Sequence, residues 1–149
     1  MDYDCVTADL ISFAEQFKLQ RVAYDDWNAE AYAQNLVKLD SFKPRLVKGQ
    51  WEDVVIKFPQ TVKNFTTPMK ETEALVRKRI LAHGHCPVMT WMMSNVVAAE
   101  DKNENIKPNK ESVEKKIDGP VAMLMAISRA LLEPKQTGSK YETQGLRRI

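Results

Sequence analysis

Between Val121 and Leu132 the chain runs Val-Ala-Met-Leu-Met-Ala-Ile-Ser-Arg-Ala-Leu-Leu, apolar on nearly every side of a helix. A helix of that kind cannot lie on a surface, because burying one stripe would leave the others in water, so other elements must cover it on several sides. Its start and stop are both written. Asp118-Gly119-Pro120 opens it and Pro134 closes it, matching a first-turn proline and a proline that forbids continuation. A chain of 149 residues supplies about one domain to wrap around such a helix. Residues 1–149 are therefore expected to form a single domain, with 134–149 as a basic tail.

The rest of the chain alternates short helical and extended patterns. Leu10, Phe13, Ala14 and Phe17 fall on one face of a helix over Val6 to Leu19, with Thr7 as the expected N-cap. Arg21-Val22-Ala23-Tyr24 reads as a strand running into Asp25-Asp26, before a helix carrying Tyr32, Leu36 and Leu39. Arg45-Leu46-Val47 reads as a second strand, ending at Gly49. Two helices are expected next, one from Asp53 to Phe65 and one from Thr67 to Lys78 with Pro68 in its first turn. Leu81 to Val97 begins as a helix opened by Pro87, and Asn95 to Ala99 turns extended. Residues 100–116 have the composition of a surface loop. Helices alternating with short strands predict an α/β layered domain with a partly parallel sheet.

Several functions are disfavoured at this level. The net charge of +2 does not by itself imply nucleic acid, but its distribution is uneven. Residues 1–42 hold three basic side chains against eight acidic, and residues 43–79 nine against four. Cys5 and Cys86 define no disulfide framework, as expected in a reducing cytoplasm. The uncharged run from Ile80 to Ala99 contains His83, Gly84, His85, Pro87, Thr90, Ser94 and Asn95, too polar a set for lipid, so no membrane partner is expected. Met1-Asp2-Tyr3-Asp4 is acidic where a secretory signal would be basic. No Gly-x-x-x-x-Gly-Lys-Ser/Thr, Gly-x-Gly-x-x-Gly or Gly-x-Ser-x-Gly run occurs, so no nucleotide site is expected.

Asp25 and Asp26 follow a strand at its C-terminal end, where open α/β sheets place their ligands. Asp118 opens the apolar helix. Helix capping is the plainer role for either. If the two elements lie side by side, however, Asp25 and Asp118 become metal ligands contributed by separate elements, as two-ion phosphodiester chemistry requires. His83, His85 and Cys86 suggest zinc by composition, but their spacing is not that of paired zinc ligands. Met89, Met92, Met93, Met123 and Met125 fit core packing. Lys107, Lys110, Lys115 and Lys116 lead toward Asp118 and are candidates for a phosphate backbone. Glu104, Glu111 and Glu114, interleaved with them, equally suit a solvated loop.

His83-Gly-His-Cys-Pro-Val-Met-Thr-Trp-Met-Met-Ser-Asn95, Asn105-Ile-Lys-Pro-Asn-Lys110 and Lys116-Ile-Asp-Gly-Pro-Val-Ala122 resemble, in that order, the C-terminal nuclease part of tailed-phage terminase large subunits. Tyr24-Asp25-Asp26-Trp27-Asn28-Ala29 and Tyr141-Glu-Thr-Gln-Gly-Leu146 extend the likeness over nearly the whole chain. The resemblance implies a ribonuclease-H-like α/β fold, truncated at its N-terminal strands, and an endonuclease that uses Mg²⁺ or Mn²⁺ to cut concatemeric viral DNA. It implies double-stranded DNA, the portal ring and the small terminase subunit as partners, in the bacterial host cytoplasm. Asp25 and Asp118 match two of the family's three metal-binding acids; the third belongs to a strand upstream of this sequence, as does the ATP-hydrolysing motor. Asp26 departs from the pattern, standing where a basic residue is common. Lys110, Lys115 and Lys116 become the expected DNA contacts. The alternative is a catalytically incomplete prophage remnant that only binds DNA or joins an assembly. In either case the missing strand leaves a sheet edge through which copies of the chain could associate.

Overall fold

The computed structural model describes residues 3–25, 27, 29–82 and 84–132. The tail at 134–149, Asp26 and His83 lie outside the described residues. The centre of the domain is a pair of parallel strands, β1 (Val22–Tyr24) and β4 (Val55–Lys57), in the register Val22↔Val55, Ala23↔Ile56, Tyr24↔Lys57. A helix was expected where β4 lies. The run Val54-Val55-Ile56 is β-branched throughout, and Val54 and Val55 are consecutive and both buried, which suits a strand covered on both faces.

Two hydrophobic clusters flank this pair. On one face Val22 and Tyr24 pack with Ala33, Leu36, Phe42, Val54 and Val55. Leu10, Ile11 and Ala14 of α1 (Tyr3–Gln16) complete that cluster, and Ala33 and Leu36 belong to α2 (Glu30–Leu36). On the other face Ala23 packs with Phe58, Phe65, Leu124 and Met125. The alternation along β1 is that of a strand sandwiched between helices. Phe42, Phe58 and Phe65 are almost wholly buried, and each such side chain is worth roughly 1.5–3 kcal/mol of burial. Thr7 does not cap α1 as expected but lies inside it. Its hydroxyl donates to the Tyr3 carbonyl (2.7 Å) and lies 3.1 Å from the Tyr32 hydroxyl, beside stacked Tyr3 and Tyr32 rings. Thr7 thus ties α1 to α2.

The second face is built by α3 (Val62–Arg77) and α5 (Asp118–Leu132), which pack on each other. α3 is one helix where the sequence predicts parts of two. Thr61 caps it, its hydroxyl accepting from the Asn64 N–H at 3.3 Å, and Pro68 sits buried in its interior rather than in a first turn. Pro68 cannot donate the helical hydrogen bond that its position would otherwise make, yet it is buried within the helix. β2 (Arg45–Val47) and β3 (Gln50–Glu52) form an exposed hairpin. Lys48 (φ 49°) and Gly49 (φ 84°) make its two-residue turn, the positive-φ pair that a type I′ hairpin requires.

A second hairpin joins β5 (Val96–Glu100) to β6 (Ile106–Lys110), with Ala98 opposite Pro108. β6 replaces the surface loop expected over 100–116. Its polar composition reflects an exposed strand, and Pro108 is tolerated because β6 pairs on one side only among the described residues. Thr66 of α3 anchors this hairpin: its Oγ1 accepts from the Ile106 N–H at 3.0 Å. α4 (Pro87–Ser94) precedes β5 and packs on α5, with Pro87 at its start as the sequence predicts. No helix among the described residues is long and apolar enough to cross a membrane.

Candidate metal and nucleic-acid site

The direction of α5 relative to β1 decides which residues can meet. Arg21, at the start of β1, lines pockets together with Arg129 and Leu132 at the end of α5, while Ala23 packs against the cluster that holds Leu124 and Met125, nearer the start of the helix. The helix therefore runs antiparallel to the strand. Asp25, just past the end of β1, and Asp118, the first residue of α5, consequently belong to the same end of this strand–helix pair.

Asp25 is half-buried, and its Oδ1 accepts from the Trp27 backbone N–H at 3.3 Å, a side-chain turn that holds the carboxylate at the strand end. Asp118 is exposed. It does not cap α5: the Ile117 carbonyl accepts from the Val121 N–H at 3.0 Å, which makes Ile117 the cap residue and Asp118 the first helical one. A carboxylate there is favoured by the unpaired N–H groups of the first turn. The following Gly119 is closely packed by two methionine side chains. A Cβ at that position would come within 2.9 Å of the Met89 sulfur and 3.0 Å of the Met92 sulfur, and its N–H donates to Met92 Sδ at 3.3 Å. The Asp-Gly-Pro start thus seats α5 against α4.

Asn95, which the sequence shows only as a polar interruption of an apolar run, positions the approach to Asp118. It is buried, and its Nδ2 donates to the Lys116 carbonyl at 3.0 Å. Lys115 and Lys116 are exposed on the segment so held, and exposed Lys110 ends β6 opposite Val96. These three lysines lie on the polypeptide that leads from the β5–β6 hairpin to Asp118. His85 and Cys86 are exposed, and no group of three or more His, Cys, Asp or Glu side chains fit to hold a metal occurs among the described residues. A zinc centre gains nothing from this geometry. Asp25 and Asp118 are two oxygen donors of the kind that suits Mg²⁺ or Mn²⁺, and two carboxylates match one hydrated ion.

A family model described as the terminase large subunit endonuclease domain matches residues 1–133, and the chain belongs to that family. Among individual relatives, the terminase large subunit of Enterobacteria phage HK97 is 26% identical over 142 residues, covering 95% of this chain and 26% of that protein. Protein YmfN of Escherichia coli (strain K12) is 38% identical over 94 residues, covering 60% of this chain and 21% of that protein. The crystal structure of the HK97 bacteriophage large terminase superposes with a TM-score of 0.69 at 26% identity, over 87% of this chain and 25% of that one. The chain spans about a quarter of the length of these relatives or less. The α/β, ribonuclease-H-like fold expected from the resemblance is thereby shown.

Proposed function

We propose that the chain is the metal-binding and DNA-contacting part of a phage DNA-packaging endonuclease that cuts concatemeric viral DNA. Asp25 and Asp118 hold a Mg²⁺ or Mn²⁺ ion, and Lys110, Lys115 and Lys116 contact the phosphate backbone. The observation that supports this reading is the antiparallel run of α5 along β1, with Asp25 just past the end of the strand and Asp118 the first residue of the helix. When bound, the ion supplies Lewis acidity at a phosphoryl oxygen and an activated water. The chain's own residues supply the rest: the Trp27 N–H orients Asp25, Asn95 fixes the strand of backbone before Asp118, and the lysines draw in the polyanion.

Two carboxylates are too few to hold a pair of ions against their mutual repulsion. A further acid from a polypeptide segment outside this sequence completes the centre, in keeping with relatives about four times its length. The same count favours a second reading, in which the chain alone binds DNA without cutting it. Portal and small-subunit contacts, in this proposal, belong to the longer assembly. The test compares plasmid nicking in Mn²⁺ by this chain and by a version extended upstream through an acidic strand. The extended protein should nick, its Asp118→Ala variant should not, and the 149-residue chain should bind the plasmid with little cutting. Equal nicking by both, abolished by Asp118→Ala, would show that two carboxylates suffice.

A further inference from the structure

The β2–β3 hairpin is clamped to the body at its base by two arginines. Arg45 donates through Nη1 to the Leu19 carbonyl at 2.6 Å and through Nη2 to the Ser41 carbonyl at 3.0 Å. Arg21, from the start of β1, pairs with Glu52 and donates to the Asp53 carbonyl at 2.6 Å. On this fixed base Leu46 and Trp51 stand opposite each other across the two strands, so they share one side of the hairpin, 61% and 74% exposed. The tip carries exposed Lys48 at φ 49°, a conformation that Gly or Asn adopts more readily than Lys. Over residues 43–57 four basic side chains, Lys43, Arg45, Lys48 and Lys57, meet two acidic ones, Glu52 and Asp53. Glu52 is engaged by Arg21 and Lys43 by Asp40, and both hydrogen-bond partners of Arg45 are uncharged carbonyl oxygens. Arg45 and Lys48 therefore keep a positive charge that no carboxylate among the described residues pairs with.

We infer that this outer face of the hairpin is a contact for single-stranded nucleic acid, with Trp51 stacking on an unpaired base, Leu46 packing beside it and Lys48 meeting the phosphate backbone. An indole can stack only on an open base face, and in a duplex those faces are covered by neighbouring base pairs. An exposed aromatic ring beside unneutralised cations thus matches a strand whose bases are unpaired. An apolar protein surface fits less well, because it would desolvate Lys48 and Arg45 without offering them a counter-charge, a cost that a polyanion avoids. The hairpin leads through Asp53 and Val54 into the start of β4, which runs parallel to β1, so it lies at the end of the strand pair away from Asp25. The contact uses no residue of the proposed metal centre and survives the failure of that reading.

The test titrates the whole chain with labelled oligothymidylate, and separately with a duplex of equal length, by anisotropy at several salt concentrations. Oligothymidylate should bind and quench indole fluorescence. Trp51→Ala should weaken that binding roughly tenfold and abolish most of the quenching, while duplex affinity and circular dichroism stay as they were. Trp51→Phe keeps an aromatic face and should restore most of the affinity. Lys48→Gln should lower the slope of log affinity against log salt for the single strand by about 0.7. The Trp51→Ala effect should persist when Lys110 and Lys115 are replaced by Gln, and also in the protein extended upstream. Oligothymidylate that does not bind, or binds Trp51→Ala as tightly as the unaltered chain, overturns the proposal. Equal loss of duplex and single strand in Trp51→Ala overturns the single-strand assignment. Self-association that Trp51→Ala abolishes, with oligothymidylate affinity unchanged, would make the face a protein contact instead. An extended protein indifferent to Trp51→Ala would show the face covered there, and overturns the proposal as well.

Discussion

The buried amide of Asn95 holds the backbone of Lys116: Nδ2 donates to the Lys116 carbonyl at 3.0 Å, across the end of α4 and the segment that delivers Asp118. Replacing Asn95 by Ala removes the donor and leaves the carbonyl without its partner, a loss worth about 1–3 kcal/mol. Urea unfolding should register that destabilisation. Hydrogen exchange should rise locally at 115–118. Asn95→Asp should cost more, since it sets a carboxylate oxygen against a carbonyl oxygen.

What the sequence disclosed and what it concealed follow from the same physics. That Asp25 follows a strand end and Asp118 opens a helix was legible, because a strand end and an Asp-Gly-Pro helix start are local signals. Asn95 was not, because its role depends on Lys116, far away in sequence. β4 was hidden because a short apolar run such as Val54-Val55-Ile56 fits a buried strand or a helix segment equally by periodicity. β6 was hidden because Lys107, Pro108, Asn109 and Lys110 have loop composition, and only pairing with β5 makes them a strand. Pro68 suggested a helix start, whereas its neighbours in the packed α3–α5 layer override that local preference. The parallel register of β1 and β4 lies wholly outside what local pattern encodes.

Asp101 organises the turn between β5 and β6, its Oδ1 accepting from the Asn103 N–H at 2.8 Å and the Asn105 N–H at 3.0 Å. Hydrogen bonds from the Asn105 side chain and backbone, then from the Asn103 backbone, hold its pKa below the ordinary carboxylate value. A carboxyl whose folded pKa is depressed contributes stability above its unfolded pKa and loses it as pH falls through the folded one. The hairpin turn should therefore be intact at neutral pH and loosen only in acid, below the usual carboxylate range. Amide shifts of Asn103 and Asn105 followed by NMR should titrate together in that window. Asp101→Asn keeps an acceptor oxygen and should abolish the titration while preserving the turn.

Exposed Lys110 and Lys115 should bind DNA through phosphates, with no preference for sequence. Each phosphate contact releases condensed counterion and adds about 0.9 to the slope of log affinity against log salt. Lys110→Gln combined with Lys115→Gln should then lower that slope by about 2, and reversal to Glu should weaken binding further at low salt. Fluorescence anisotropy with two unrelated duplexes checks both statements. A slope unchanged in the double variant would move the DNA surface away from β6.

Metal binding by this chain should be weak and limited to a single ion. Asp25 and Asp118 are its two proposed ligands, and no cluster of three ligating side chains exists among the described residues. An ion that binds only the folded state stabilises it by RT ln(1 + [ion]/Kd), so with a weak Kd Mn²⁺ should raise the melting temperature measurably only at high concentration. Asp25→Asn and Asp118→Asn should each remove that stabilisation. Their stabilities without metal separate ligation from architecture. Asp118 is exposed at the first position of α5, so neutralising it should cost only the helix-dipole contribution, about 0.3–1 kcal/mol. Loss of the Asp25 carboxylate should leave the Trp27 N–H paired, since Asn offers the same acceptor oxygen. A Mn²⁺-dependent shift that persists in both variants would place the ion elsewhere. Calorimetry resolving two tightly bound ions in the unaltered chain would show that it holds more ligands than Asp25 and Asp118.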